Sequence, residues 1–164
     1  MGVDLAGIHP SSEVGEAYYS NWWLWHPIVC FVAENCPHIL RGDDVPGWDV
    51  NEGNGLDAER AIELADALDK AIADGTVERY VKEHAAYLAG LPDEVCWCGG
   101  TGKLTADQIA RRREEGIEAR DDETCSHCNG TGTKRPFETW YRADAGAIRN
   151  FSEFCRASGG FEIW

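Results

Sequence analysis

At 164 residues with 43% hydrophobic content, the chain is long enough to bury one proper core, or a domain plus a small module. Its net charge of −14, from 29 acidic against 15 basic residues, argues against nucleic acid held simply by its phosphate backbone, where clustered Lys and Arg supply most of the affinity. No run approaches the ~18 apolar residues of a membrane span.

No basic start leads into an apolar stretch, so no signal peptide is expected. Ala6 stands where a myristoylation motif needs Ser or Thr. Seven cysteines, an odd number, suit a reducing, cytoplasmic protein better than a secreted disulfide framework. Seven tryptophans and five tyrosines are a heavy aromatic load, and large aromatics anchor binding surfaces as well as cores.

Gly2 to Ile8 alternates loosely and predicts a short strand, ended by His9-Pro10-Ser11-Ser12 as a turn. Glu16 to Trp25 is rich in the aromatics that strands favour and predicts a second one. On that strand Trp23 and Trp25 share one face, and Trp22 and Leu24 the other. His26-Pro27 is expected to begin a helix, with Pro27 at the first helical position, that runs to about Asn35 before Pro37. A sheet covered on both sides would bury the whole Trp run. If one face is instead open, Tyr18, Trp22, Trp23, Trp25 and His26 are the candidate ligand- or partner-binding residues.

Arg41 to Asn54 is polar and turn-rich and reads as a loop, with Gly53-Asn54-Gly55 as a glycine-rich helix entry. Leu56-Asp57-Ala58-Glu59 opens a helix with Ala61, Ile62, Leu64, Ala65, Leu68 and Ile72 at helical spacing, closed by Gly75. A second helix from about Val77 to Leu91 completes an αα-hairpin, and Pro92 ends it. His84 reads as a half-buried residue of that helix.

Cys96-Trp97-Cys98-Gly99-Gly100-Thr101-Gly102 and Cys125-Ser126-His127-Cys128-Asn129-Gly130-Thr131-Gly132 then read as two copies of one hairpin. Two close cysteine pairs separated by 26 residues predict a structural zinc site with Cys96, Cys98, Cys125 and Cys128 as ligands. A closed set of four thiolates leaves no position for water, so the metal's role is structural. The first pair is Cys-x-Cys, one residue short, which makes His127 or His84 a substitute ligand to consider. A redox pair, an iron–sulfur cluster and unrelated buried cysteines are the alternatives. Thr105 to Asp122 reads as an exposed helical excursion with Arg111 and Glu115 paired. Cys30, Cys36 and Cys155 read as small buried hydrophobes.

Phe137 to Tyr141 has strand chemistry, and Asp144 or Ala145 begins a helix with Ile148, Phe151, Phe154 and Cys155 on one face. Gly159-Gly160 caps it, and Phe161 to Trp164 predicts a last strand, paired with Val3-Asp4-Leu5 or with the Trp-rich strand. The expected fold class is α+β: a small antiparallel sheet packed with about four helices, plus a zinc-knuckle hairpin. Residues 1–92 and 134–164 would form the core, and 93–133 an inserted zinc-binding module.

Gly2-x-Asp4-x-x-Gly7-x-x-Pro10, Gly15-Glu16-x-Tyr18, the Trp run with Pro27, Gly55-Leu56-Asp57-Ala58-Glu59, the paired knuckles and Gly159-Gly160-Phe161 stand here in that order. In this the chain resembles, over nearly its whole length, a family of uncharacterised phage, prophage and bacterial proteins. The resemblance implies a phage-related origin and a zinc knuckle, and no reaction. Cys125 to Gly132 also resembles one repeat of the cysteine-rich region of DnaJ-type chaperones. Such regions have four repeats and follow a His-Pro-Asp domain, and this sequence has neither, so chaperone function does not carry over.

No Ser/His/Asp or Cys/His arrangement has a recognisable spacing, and no nucleotide loop is complete. The sequence therefore points to a non-enzymatic, zinc-stabilised phage-type protein, cytoplasmic (in the host cytoplasm if phage-encoded), that binds and inhibits or sequesters a host component such as a host protein, in counter-defence or host takeover. The alternatives are an aromatic pocket for a nucleotide or other small planar ligand, and a nucleic-acid-associated zinc finger.

Overall fold

A computed structural model describes residues 2–40, 45–48, 53–116 and 123–164. In chain order its elements are β1 (Gly2–Gly7), β2 (Ala17–Asn21), α1 (Trp22–Asn35), α2 (Val45–Trp48), β3 (Asn54–Leu56), α3 (Ala58–Ala73), α4 (Thr76–Gly90), β4 (Glu94–Val95), α5 (Ala106–Glu114), β5 (Thr133–Lys134), α6 (Ala145–Ser158) and β6 (Phe161–Ile163). The chain divides into two units, Met1–Tyr87 with Trp140–Trp164, and Leu88–Thr139. The fold is α+β.

In the first unit four antiparallel strands lie in the order β2-β1-β6-β3. β1 and β6 alternate, with Val3, Leu5, Phe161 and Ile163 facing the core while Asp4 and Glu162 face out. The register sets Leu5 opposite Tyr18 on one side and opposite Ile163 on the other. The C-terminal strand thus pairs with β1, as expected, and with β3.

The Trp run is helical, not extended. β2 ends at Asn21, whose side chain accepts the Leu24 N–H at 3.1 Å and caps α1. A satisfied N-cap outweighs the strand preference of the aromatics, which measures packing on a pleated surface more than backbone bias. Pro27 accordingly lies inside the helix and not at its first position. Its missing N–H leaves the Trp23 carbonyl short of a helical donor, and the Arg142 N–H supplies one at 3.2 Å. Trp25, Ile28, Val29, Phe31 and Val32 form the buried face.

The expected loop from Arg41 to Asn54 lies partly outside the described residues. Within it, Val45–Trp48 is a helical turn, and Trp48 is fully buried. The expected helix entry at Gly53-Asn54-Gly55 is instead the start of an edge strand. Gly55 lies so close to the Phe161 carbonyl that any Cβ there would collide with it.

Asp57 caps α3 by accepting the Arg60 N–H at 2.9 Å. The buried stripe Ala61, Leu64, Ala65 and Leu68 packs on α6, which presents Ile148, Phe151, Phe154 and Cys155. Ser152 Oγ pins the two helices, donating to Asp69 Oδ1 at 2.6 Å and placed 3.2 Å from the Ala65 carbonyl. On α4, Tyr80 packs edge-on to Phe31 at 5.0 Å and donates to the Pro27 carbonyl at 2.9 Å. Cys36 and Cys155 are buried as expected, and burial pushes the Cys36 thiol up to about 11. Cys30 is only half-buried.

In the second unit β4 and β5 form an antiparallel pair. Arg135 ties its base by donating to the Leu91 carbonyl at 2.7 Å and to Asp93 at 3.1 Å. α5 begins with a full capping box between Thr105 and Gln108, and Arg111 pairs with Glu115 at 3.1 Å. Phe137–Trp140 is a 3-10 turn and not the expected strand, because Thr139 folds back onto the Pro136 carbonyl through both its N–H at 3.1 Å and its hydroxyl at 2.6 Å. Among the described residues no helix is long and apolar enough to cross a membrane.

Candidate metal centre

The two knuckles form one pseudo-symmetric clamp. Cys96 N–H donates to the Gly132 carbonyl, and Cys125 N–H donates to the Gly102 carbonyl, both at 2.9 Å. Val95 pairs with Thr133, and Lys103 pairs with Thr124 in the equivalent antiparallel bridge. The Thr101 hydroxyl lies 3.0 Å from the Cys98 carbonyl, and the Thr131 hydroxyl lies 2.7 Å from the Cys128 carbonyl. Cys96, Cys98, Gly100, Thr101 and Gly102 therefore correspond to Cys125, Cys128, Gly130, Thr131 and Gly132. The residue missing from the first knuckle is missing between its cysteines, and the clamp closes regardless.

The four thiols are buried, and their Sγ atoms all lie within 4.8 Å of one another. Cys96 and Cys125 are 3.8 Å apart, and Cys98 and Cys128 3.9 Å. Those separations are far beyond a disulfide bond, and all seven cysteines are free. They match the ~3.8 Å edge of a tetrahedron built on metal–sulfur bonds of ~2.3 Å. The cluster can hold a metal ion in a four-sulfur tetrahedron, a donor set suited to zinc or iron. Leu104 and Ile109 pack against it.

Ligation requires thiolates, and burial acts against the charged form of each of them. Burial pushes Cys96 up to about 12. Burial acts upward on Cys128 too, but the N–H groups of Gly132, 3.3 Å from its sulfur, and of Gly130, with the neighbouring thiols of Cys96 and Cys125, favour its thiolate and bring it down. The two candidate substitutes are not in the cluster. His127 is exposed, and His84 Nε2 lies 2.7 Å from the Tyr141 carbonyl.

The candidate binding residues of the first unit separate into two groups. Trp25 is fully buried, stacked on Trp48 at 5.7 Å. Tyr18 packs on Phe151 at 5.4 Å and donates to the Ala147 carbonyl at 3.2 Å, and burial pushes its hydroxyl up to about 12. Trp25 is thus a core residue, which corrects its reading as a ligand contact, whereas Tyr18 is half-buried at the edge of the core. Trp22, Trp23 and His26 are half-buried. Trp23 meets Trp140 at 5.9 Å and Tyr141 at 5.2 Å, and His26 meets Tyr141 at 4.9 Å and Trp22 at 6.5 Å.

Three features escaped the sequence reading. Trp140 and Tyr141 extend the aromatic cluster, and only the tertiary fold brings them to Trp23. His26 Nε2 lies 3.6 Å from Cys30 Sγ, a pairing that the i, i+4 spacing would have indicated had α1 been started at Trp22. Arg112 lies over the exposed Trp97 ring at 5.6 Å. Comparison with protein-family models, curated proteins and solved structures returns no match.

Proposed function

We propose that the chain is a non-enzymatic, zinc-clamped binding protein of the phage type, which inhibits or sequesters a host protein in the host cytoplasm. The observation that carries this reading is the buried four-thiol cluster with tetrahedral edges of 3.8 and 3.9 Å. Cys96, Cys98, Cys125 and Cys128 would hold the ion. Zinc bound by four thiolates offers no coordination position to a substrate and contributes folding free energy instead. The work of the molecule then falls to its surfaces.

The aromatic cluster of Trp22, Trp23, His26, Trp140 and Tyr141 supports a partner-binding role. Its Trp140 ring is 60% exposed, and exposed Trp is the residue type that most often anchors an interface. Two measurements test the reading. Elemental analysis of the purified chain is expected to give one zinc per molecule, and Cys128→Ser to lose it. A tagged chain is expected to retain one stoichiometric host protein from lysate, lost on Trp23→Ala with Trp140→Ala. Retention unchanged by that double variant would overturn the surface assignment, and a chain free of metal would overturn the clamp.

A further inference from the structure

We propose that the cleft between Trp97 and α5 binds an unpaired nucleotide, with the base stacked on the Trp97 indole and the phosphate taken by Arg111 and Arg112. The cleft has a volume of about 370 Å³ and is lined by Trp97, Gln108, Arg111, Arg112 and Glu115. That lies within the ~300–1,000 Å³ of small-molecule sites.

Trp97 stands between two of the four cysteines, so its backbone is fixed on both sides. Its ring stays 45% exposed, while Leu104 and Ile109 supply the apolar packing around the thiols. A half-exposed indole on a backbone flanked by two buried cysteines has little backbone entropy still to lose on stacking a planar ligand. The Arg112 guanidinium lies over the ring, 5.6 Å from its centroid, and donates to Ser126 Oγ at 3.2 Å, which places one cation on the aromatic surface itself. Arg111 is the second, with Glu115 at 3.1 Å. Gln108 adds an amide whose nitrogen is 3.5 Å from the Trp97 carbonyl. A planar π surface, two guanidiniums and an amide in one cleft are the groups that recognise a base with its phosphate.

The overall acidity does not oppose a contact of this kind. The segment Leu88–Thr139 carries ten acidic and seven basic residues, and the remainder of the chain 19 acidic and eight basic. Three of those seven are Arg111, Arg112 and Arg113. Glu115 limits the site to about one phosphate, which suits a stacked single nucleotide and not the tracked backbone of a duplex. The proposal rests on the metal reading for the rigidity of Trp97.

The test is fluorescence anisotropy of labelled single-stranded oligonucleotides, dT and dA, with the full chain whose zinc content has been measured. Wild type is expected to bind both strands and to bind duplex more weakly. Trp97→Ala and Arg112→Gln are each expected to weaken binding about five-fold or more, the loss of one stacked base or its cation. Arg113→Gln, outside the cleft, is expected to leave it unchanged. Displacement by AMP would assign the site to free nucleotides, and displacement by strands alone to nucleic acid; either supports the cleft. No binding by the zinc-loaded chain, duplex bound as tightly as single strands, or Trp97→Ala with full zinc binding like wild type would each overturn it. Binding that persists without zinc and is lost in Trp97→Ala would fail the metal reading while supporting the cleft.

Discussion

The indole N–H of Trp25 donates to the backbone carbonyl of Trp48 at 2.8 Å, and the two rings stack 5.7 Å apart at 19°. This bond joins α1 to the short turn α2, and both rings also meet Phe151 edge-on. Trp25→Phe keeps an aromatic ring but removes the donor, leaving a buried carbonyl unsatisfied at a cost of about 1–3 kcal/mol. Trp48→Ala removes the whole ring from the core and is expected to cost about 3–5 kcal/mol. Urea unfolding followed by far-UV circular dichroism checks both, and Trp48→Ala must be the more destabilised.

A second prediction concerns acid stability. The Asp69 carboxyl is held below its ordinary range, first by the Ser152 hydroxyl at 2.6 Å and then by Arg156 at 2.7 Å. Its folded pKa is depressed, so the stabilisation is fully present above the unfolded value of about 3.9 and is lost as pH falls through the folded value. Asp69→Asn is therefore expected to lower the melting temperature at pH 7 and to flatten its fall below pH 4. The carboxyl is 52% exposed, so the effect is screened and modest. Parallel melting curves of variant and wild type from pH 7 to pH 2 would contradict this linkage.

What the sequence made legible follows from how local each determinant is. The α3 helix carries its own cap at Asp57 and its own apolar stripe, and both knuckles carry a close cysteine pair followed at one fixed offset by Gly-Thr-Gly. Strand β6 was legible because an apolar Phe161 and Ile163 flanking Glu162 need a partner. The start of α1 was not, because two local signals compete there. The Trp run favours a strand, whereas Asn21 caps a helix, and the cap prevails. Trp48 was hidden for a different reason: it sits in a polar, glycine-rich stretch, and only the distant Trp25, Phe151 and Phe161 give its ring a place. Trp140 meets Trp23 across more than a hundred residues of sequence, beyond the reach of any window.

Metal removal supplies a third prediction. Four buried sulfurs within 4.8 Å cannot all become thiolates without a cation, so an emptied site must reprotonate or open. A strong chelator is expected to abolish the hydrogen-exchange protection of the Cys96 and Cys125 amides, whose acceptors are Gly132 and Gly102. Amides of α3 and α6, which are held by Ser152 and the apolar face between them, are expected to stay protected. Simultaneous loss of protection in both sets would show that the two units unfold as one.

The clamp's pseudo-symmetry makes the sharpest prediction, because equivalent positions can be compared within one molecule. Gly102 and Gly132 have φ of +72° and +81°, and a Cβ on either would run into the carbonyl of Gly130 or Gly100 respectively. Gly132→Ala thus incurs left-handed strain of about 1–2 kcal/mol together with a backbone collision. It also displaces the N–H that lies 3.3 Å from the Cys128 sulfur. Gly99 has a similar φ of +73° but open space around it. Its counterpart in the second knuckle is Asn129, a residue that accepts the left-handed region, here at φ +50°. Gly99→Asn is therefore expected to keep full metal content and near-native stability, whereas Gly132→Ala and Gly102→Ala lose metal to a chelator at least ten-fold faster. If Gly99→Asn were as damaging as Gly132→Ala, the correspondence of the two knuckles would be wrong.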